Sequence, residues 1–314
     1  MKFSIKESVA RKDLAKLSVK DKKLLQLLIQ DARMSVTQLA KRVGISKSAI
    51  VQKIDSLKKK GVLSGFVLYT NLRSFNENMY VLEISTQLGI ATEKINNELL
   101  KIKEIAGILW YNGTYNLIIA IYSNEPEEII DKIEEVLEIK KFRLRKFRDN
   151  WFHPPHLFNE VKDKDVEFKR INLKTDETDE KLISYLYANP IATFAEISEN
   201  TKLAPQTIKK HLEKLEKNQA ILGFSILVNP WLCGKEVVGV SFIIKGKKET
   251  EKALKHLLQI PQTSNVWECD NEWNINVVFW VEERMEVNKI LNNIYSNFKI
   301  LDTEVSVLAA MVGK

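Results

Sequence analysis

Two short runs of side chains in this sequence are suited to chemistry on a polyanion. The first comprises Ser46, Lys47, Ser48, Val51, Gln52 and Lys53; the second comprises Pro205, Gln206, Thr207, Lys209, Lys210 and His211. Gln and Lys can hydrogen-bond base edges in the DNA major groove, while further lysines neutralise phosphates. The net charge of +7 fits such a partner where the charge is clustered. A third candidate, His153 and His156 in "WFHPPH", offers metal-ligand types. Their spacing across two prolines is not helical and no Cys-x-x-Cys accompanies them, so they read as linker. No metal, cofactor or catalytic residue set is expected, and the chain is not expected to be an enzyme.

Both runs need a helix to present them. In the first, Ile50, Ile54 and Leu57 face inward, as do Ile208, Leu212 and Leu215 in the second, leaving the polar residues outside. Ser46 suits the N-cap and Pro205 the first turn. The helix before each run opens with a capping box, Ser35 with Gln38 and Thr193 with Glu196. Gly44 suits a left-handed turn between helices, where Lys202 stands in the second run. With an earlier apolar helix on Leu24, Leu25 and Leu28, this is a three-helix, helix-turn-helix plan. "VLSGFVLYT" (62–70) then leaves as a strand.

The plan occurs twice because the chain is duplicated. At an ungapped offset of 158, Asp21, Lys23, Leu24 and Leu28 fall on Asp179, Lys181, Leu182 and Leu186. Gly65 and Phe66 fall on Gly223 and Phe224, and Asn116 on Asn274. Register held over about 120 residues marks two domain-sized copies rather than a solenoid. From residue 79 each copy reads β-α-β-β-α-β, a ferredoxin-like sandwich. The fold class is therefore α+β, two copies of a winged helix-turn-helix plus a ferredoxin-like βαββαβ sandwich. The expected domains are a tail (1–17), heads at 18–66 and 176–224, sandwiches at 67–149 and 225–314, and a linker at 150–175. Six basic residues in "KKFRLRKFR" (140–148) read as the exposed face of an edge strand.

Cys233 and Cys269 are too few for a disulfide framework and suggest a reducing compartment. The N-terminal residues break every apolar run with charge, and no stretch approaches the roughly 18 apolar residues of a span. A cytoplasmic protein without a membrane partner is expected.

The segment "LAKRVGISKSAIVQKIDSLKKKGVLSGF" (39–66) and the turn "NGTYNL" (112–117), in this domain order, resemble the Lrp/AsnC, or feast/famine, transcription regulators. The resemblance covers nearly the whole chain, twice. It implies RAM-type sandwiches that pair to carry two DNA-reading heads, here as one covalent pseudodimer able to stack into larger homo-oligomers. Such a chain would bind double-stranded DNA, with unequal reading helices preferring an asymmetric operator. A small effector such as an amino acid is also implied, at turns formed by Asn112, Gly113 and Thr114 and by Asp270, Asn271 and Glu272. Read from the residues alone, those turns are first of all plain hairpins. Two rival classes remain: a sensor or architectural module without specific reading, and an enzyme similar to sirohaem decarboxylases. The second rival has a His- and Arg-containing run where 107–122 and 265–280 here have neither.

Overall fold

The computed structural model describes residues 3–6, 15–74, 78–87, 93–152, 155, 157–158, 168 and 173–313. His153 and His156 lie outside the described residues, as does most of the expected linker. Two compact units are formed, and each draws on both copies of the repeat.

One unit holds the two sandwiches. In the first copy, β3 (Met79–Ser85), α4 (Glu93–Leu99), β4 (Ile105–Asn112), β5 (Leu117–Tyr122), α5 (Pro126–Glu134) and β6 (Lys141–Phe152) follow in the expected order. The second copy repeats it with β8 (Glu236–Ile244), α9 (Lys247–Leu258), β9 (Thr263–Cys269), β10 (Ile275–Val281), α10 (Arg284–Asn297) and β11 (Ile300–Gly313). Leu117, Ile119 and Ile121 of β5 and Ile275, Val277 and Phe279 of β10 are fully buried, each alternating with a half-exposed neighbour. That period of two marks sheets with one dry face. Each such side chain contributes about 1.5–3 kcal/mol by burial.

The last strand of each copy is long because it serves both copies. Residues Lys141–Phe147 of β6 pair with β3, and the rest of β6 runs on to pair with β9, setting Phe152 opposite Asn265. The first half of β11 likewise pairs with β8, and its end pairs with β4, setting Gly313 opposite Gly107. The strand order β11-β4-β5-β3-β6-β9-β10-β8 therefore returns to β11 and closes into an eight-stranded ring. Ala310 and Val312 of β11 complete the core of the first copy beside Ile108, Trp110 and Ile119. A short strand, β1 (Phe3–Lys6), adds to the end of β11, within the segment expected to be a tail.

Asn116 and Asn274 explain why asparagine is kept at this position. The Asn116 side chain accepts from the Thr86 backbone N–H and donates to its carbonyl, at 2.9 and 3.0 Å. Asn274 does the same to Ile244, at 3.0 and 2.7 Å. Only a planar amide supplies both a donor and an acceptor in that fork.

The other unit holds the heads: α1 (Val19–Gln30), α2 (Val36–Val43) and α3 (Lys47–Lys59), then α6 (Glu177–Ala188), α7 (Phe194–Thr201) and α8 (Pro205–Lys217). Both expected capping boxes form, and Ser18–Asp21 and Asp176–Asp179 add two more at α1 and α6. The strands leaving the reading helices, β2 (Leu63–Thr70) and β7 (Ile221–Val228), pair with each other, antiparallel. Bonds from Asn71 N–H to the Ala220 carbonyl and from Asn229 N–H to the Val62 carbonyl, both 2.9 Å, seal this ribbon symmetrically. Arg33, which has no basic counterpart in the second copy, donates from Nη2 to the Ala192 carbonyl at 3.0 Å and stacks on Phe224.

Gly44 adopts φ +77° and Lys202 φ +59°, the same left-handed turn. A Cβ on Gly44 would meet nothing within 4 Å, so its cost is backbone strain alone. Gly44→Ala should destabilise the heads by about 1 kcal/mol, whereas Lys202→Ala should be near neutral, because Lys202 already bears that strain. Urea midpoints of the two variants compare these directly. Separately produced chains of residues 1–160 and 161–314 should also co-elute as a 1:1 complex on size exclusion, since neither ring half closes alone.

Candidate functional site

Ser46 caps α3, accepting from the Ala49 N–H at 3.2 Å, and fixes where the helix begins. Lys47, Ser48, Val51 and Gln52 are exposed beside it, with Val51 47% exposed. On α8, Pro205 occupies the first turn, and Gln206, Lys209 and Lys210 are exposed while Thr207 is half-buried. Each head thus keeps a basic, polar surface over the N-terminal half of its reading helix. Part of the second is internally balanced, since Lys209 lies 3.9 Å from Glu213.

Lys53 and His211 depart from the expected outward placement. The Lys53 ammonium donates to Asp21 at 2.7 Å, and His211 Nδ1 lies 2.7 Å from Asp179. Both positions fall three residues after an inward isoleucine, which puts them on the buried flank of the helix. Asp21 and Asp179 are the third residues of their helices and cap them, so each pair ties the reading helix to the first helix of its head. Burial works to raise the Asp21 pKa, but hydrogen bonds from Lys53 and Ser18 outweigh it and hold the carboxyl below its usual range.

The second head adds Lys214, whose ammonium reaches Asp176 at 2.8 Å and Asp179 at 2.6 Å. The Lys214 hydrogen bond, with the Asp179 N–H next in effect, pulls the Asp176 carboxyl down to about 2. Asp176, Asp179 and His211 present ligand atoms within 4.8 Å of one another, close enough to hold a metal ion together. Sequence reading missed this group, although an aspartate at each of the first and fourth capping positions was its visible signal.

In the sandwich unit, a cavity of about 140 Å³ opens inside the ring. Of the six turn residues expected to bind an effector, Thr114 lines it. Asn112, Gly113, Asp270 and Glu272 are exposed at the two turns and Asn271 is half-buried there. Gly113 does not require a left-handed conformation; a Cβ there would touch Ser306 at an ordinary 3.4 Å.

The run 140–148 is not simply the exposed face of an edge: it pairs with β3 over Lys141–Phe147 and meets β9 only from Phe147 on, and although Lys141, Phe142 and Arg148 are exposed, Arg145 is 2% exposed at the cavity. Its Nη2 pairs with Glu83, and its Nη1 donates to Ser241 Oγ at 3.0 Å. Arg143 pairs with the same Glu83 through Nε and donates from Nη2 to Glu304 at 2.6 Å. The Arg143 guanidinium also lies 4.7 Å from the Tyr115 ring centroid and 4.9 Å from that of Trp273. Burial alone pushes the cavity-lining Tyr111 hydroxyl well above its usual range.

Comparison with known proteins follows this division. A family model described as winged helix-turn-helix DNA-binding matches residues 17–64 and again 175–221. The HTH-type transcriptional regulator LrpA of Pyrococcus horikoshii is 27% identical over 117 residues, 36% of this chain and 81% of the relative. An uncharacterised HTH-type transcriptional regulator of the same organism is 30% identical over 132 residues, 39% of this chain and 78% of the relative. Over nearly the full length, the fold is similar to that of siroheme decarboxylase NirDL: TM-score 0.56, 12% identity, 92% of this chain and 90% of that one. The expectation that the chain is not an enzyme therefore does not stand, because its fold is similar to that of an enzyme over nearly the full length and it carries the Asp176, Asp179 and His211 group. Among the described residues, no helix is long and apolar enough to cross a membrane. The duplicated module, the paired ferredoxin-like sandwiches and the regulators it matches make this chain a member of the Lrp/AsnC winged helix-turn-helix superfamily.

Proposed function

We propose that the chain is a sensor module that holds duplex DNA through phosphate contacts and discriminates little between sequences. The observation that carries this reading is the commitment of Lys53 and His211 to the capping carboxylates. The middle of each reading helix is thereby withdrawn, and near the helix starts Lys47 on one head and Lys209 and Lys210 on the other stay exposed. Phosphate contacts position a protein without reading sequence.

A second reading, catalysis on a tetrapyrrole, is favoured by the full-length fold likeness to the decarboxylase and by the Asp176, Asp179 and His211 group. Mixing the chain with sirohaem and recording the visible spectrum tests it: a shifted, saturable Soret band supports the reading, and an unchanged band removes it.

Fluorescence anisotropy of the full chain against its own upstream DNA and a scrambled duplex, at two salt concentrations, tests the first. Similar affinities with steep salt dependence are expected; a preference of about two decades for the upstream duplex would instead mark a sequence-specific regulator. Lys47→Ala should lower the log–log salt slope by about one unit. Lys53→Ala should leave that slope unchanged and lower the thermal midpoint of the heads instead. Equal slopes for the wild type and Lys47→Ala would overturn the role given to Lys47.

A further inference from the structure

We infer that charge inside the ring decides which sandwiches can join: a first-copy sandwich takes a second-copy sandwich, of its own chain or of another, and rejects its own kind. This inference is independent of what the heads bind.

The strand registers show where the selection is made. Opposite Glu83, across the β3–β6 ladder, stands Arg143. The counterpart of Glu83 is Ser241, and opposite Ser241, across the β8–β11 ladder, stands Glu304. Arg143 and Glu304 therefore hold equivalent places in the two sheets, although the ungapped offset aligns Arg143 with Leu301. These two residues touch, with Arg143 Nη2 donating to Glu304 at 2.6 Å. Between like halves related by a two-fold axis, a contact of equivalent places is a contact of one residue with itself. Two first-copy sandwiches would set Arg143 against Arg143, and two second-copy sandwiches would set Glu304 against Glu304.

The rest of the interior could not neutralise either pairing. In the structure, Glu83 and Glu304 balance Arg143 and Arg145. Two first-copy sandwiches would gather four arginines about two glutamates. Two second-copy sandwiches would gather two glutamates and no arginine, since the second copy lends the cavity lining no base. The four side chains are only 2% to 23% exposed, so water screens them little. Opposing like charges there, or stripping a buried charge of its partner, is strongly unfavourable.

The heads carry the same preference by other means. The Ala32 N–H donates to the Phe224 carbonyl at 2.9 Å, whereas the second-copy counterpart of Ala32 is Pro190, which has no N–H to give. Burial pushes the Arg33 pKa down, and the Glu216 carboxylate works against that. A pair of first-copy heads would put Lys58 in the place of Glu216. Two chains can thus combine only by reciprocal exchange, each first copy on the other chain's second.

A charge exchange between two full-length chains tests the proposal. Glu304→Arg leaves three arginines about Glu83 in its own ring, and Arg143→Glu leaves three glutamates about Arg145. Each variant alone should melt on the order of 10 °C below the wild type. Co-expressed under different tags, the two can exchange halves, and each ring then holds two arginines and two glutamates again. The pair should co-elute 1:1 as a dimer and regain at least about half of the lost thermal midpoint. Glu304→Gln keeps the size and removes only the charge, so its midpoint should fall between those of the wild type and Glu304→Arg; that order decides the matter if Arg143→Glu fails to fold even in the pair. Equal midpoints for Glu304→Gln and Glu304→Arg would overturn the proposal, as would folded variants that do not co-elute or a pair that melts where its members melt alone.

Discussion

Everything in the sandwich unit depends on backbone hydrogen bonds that each copy lends to the other. A ferredoxin-like sheet alone has two edges, and an unpaired edge is a template for unwanted pairing. Here β6 and β11 overrun their own sheets, and the overrun of each covers an edge of the other copy. The exchange removes the edges, brings Ala310 and Val312 into the first core, and creates an interior that belongs to neither copy. In separate chains this arrangement would have to assemble by encounter; within one chain it is an intramolecular event.

Joining the copies covalently also let them diverge where they meet. At the shared offset of 158, Glu83 corresponds to Ser241, Arg143 to Leu301 and Arg145 to Thr303. Three charged members of the interior network, Glu83, Arg143 and Arg145, therefore come from the first copy, and the second supplies Glu304 and the neutral acceptor of Arg145. A pair of chains identical to the first copy would have placed four arginines and two glutamates about the axis. The heads diverged too: Lys53 and His211 perform the same bracing with different chemistry, and Lys214 reinforces only the second.

Features controlled by a few consecutive residues were legible in the sequence. The Ser35–Gln38 and Thr193–Glu196 boxes, the turn at Gly44 and the βαββαβ order all follow from local rules, and all are present. Pairings across more than a hundred residues were not legible, because a strand that will pair with its own copy looks the same as one that will pair with the other. That is why β2–β7 and the overruns of β6 and β11 went unseen. Arg145 illustrates the cost: alternation alone puts every second residue of β6 on one face, but only the closed ring makes that face an interior. Lys53 and His211 were misplaced for another reason, since residues i and i+3 share a helix face and the isoleucines at 50 and 208 already marked it as inward.

The ribbon joining the heads has a consequence of its own. Side chains on a strand alternate between faces, so a slip of one residue between β2 and β7 would turn every buried position outward. Slips of two residues are the permitted ones, and each moves one strand past the other by about 7 Å. The ribbon is thus a ruler with coarse graduations: the separation of α3 and α8 can take only a few values, and drift by small increments is closed to it. A partner that bridges both helices must match one graduation or miss them both.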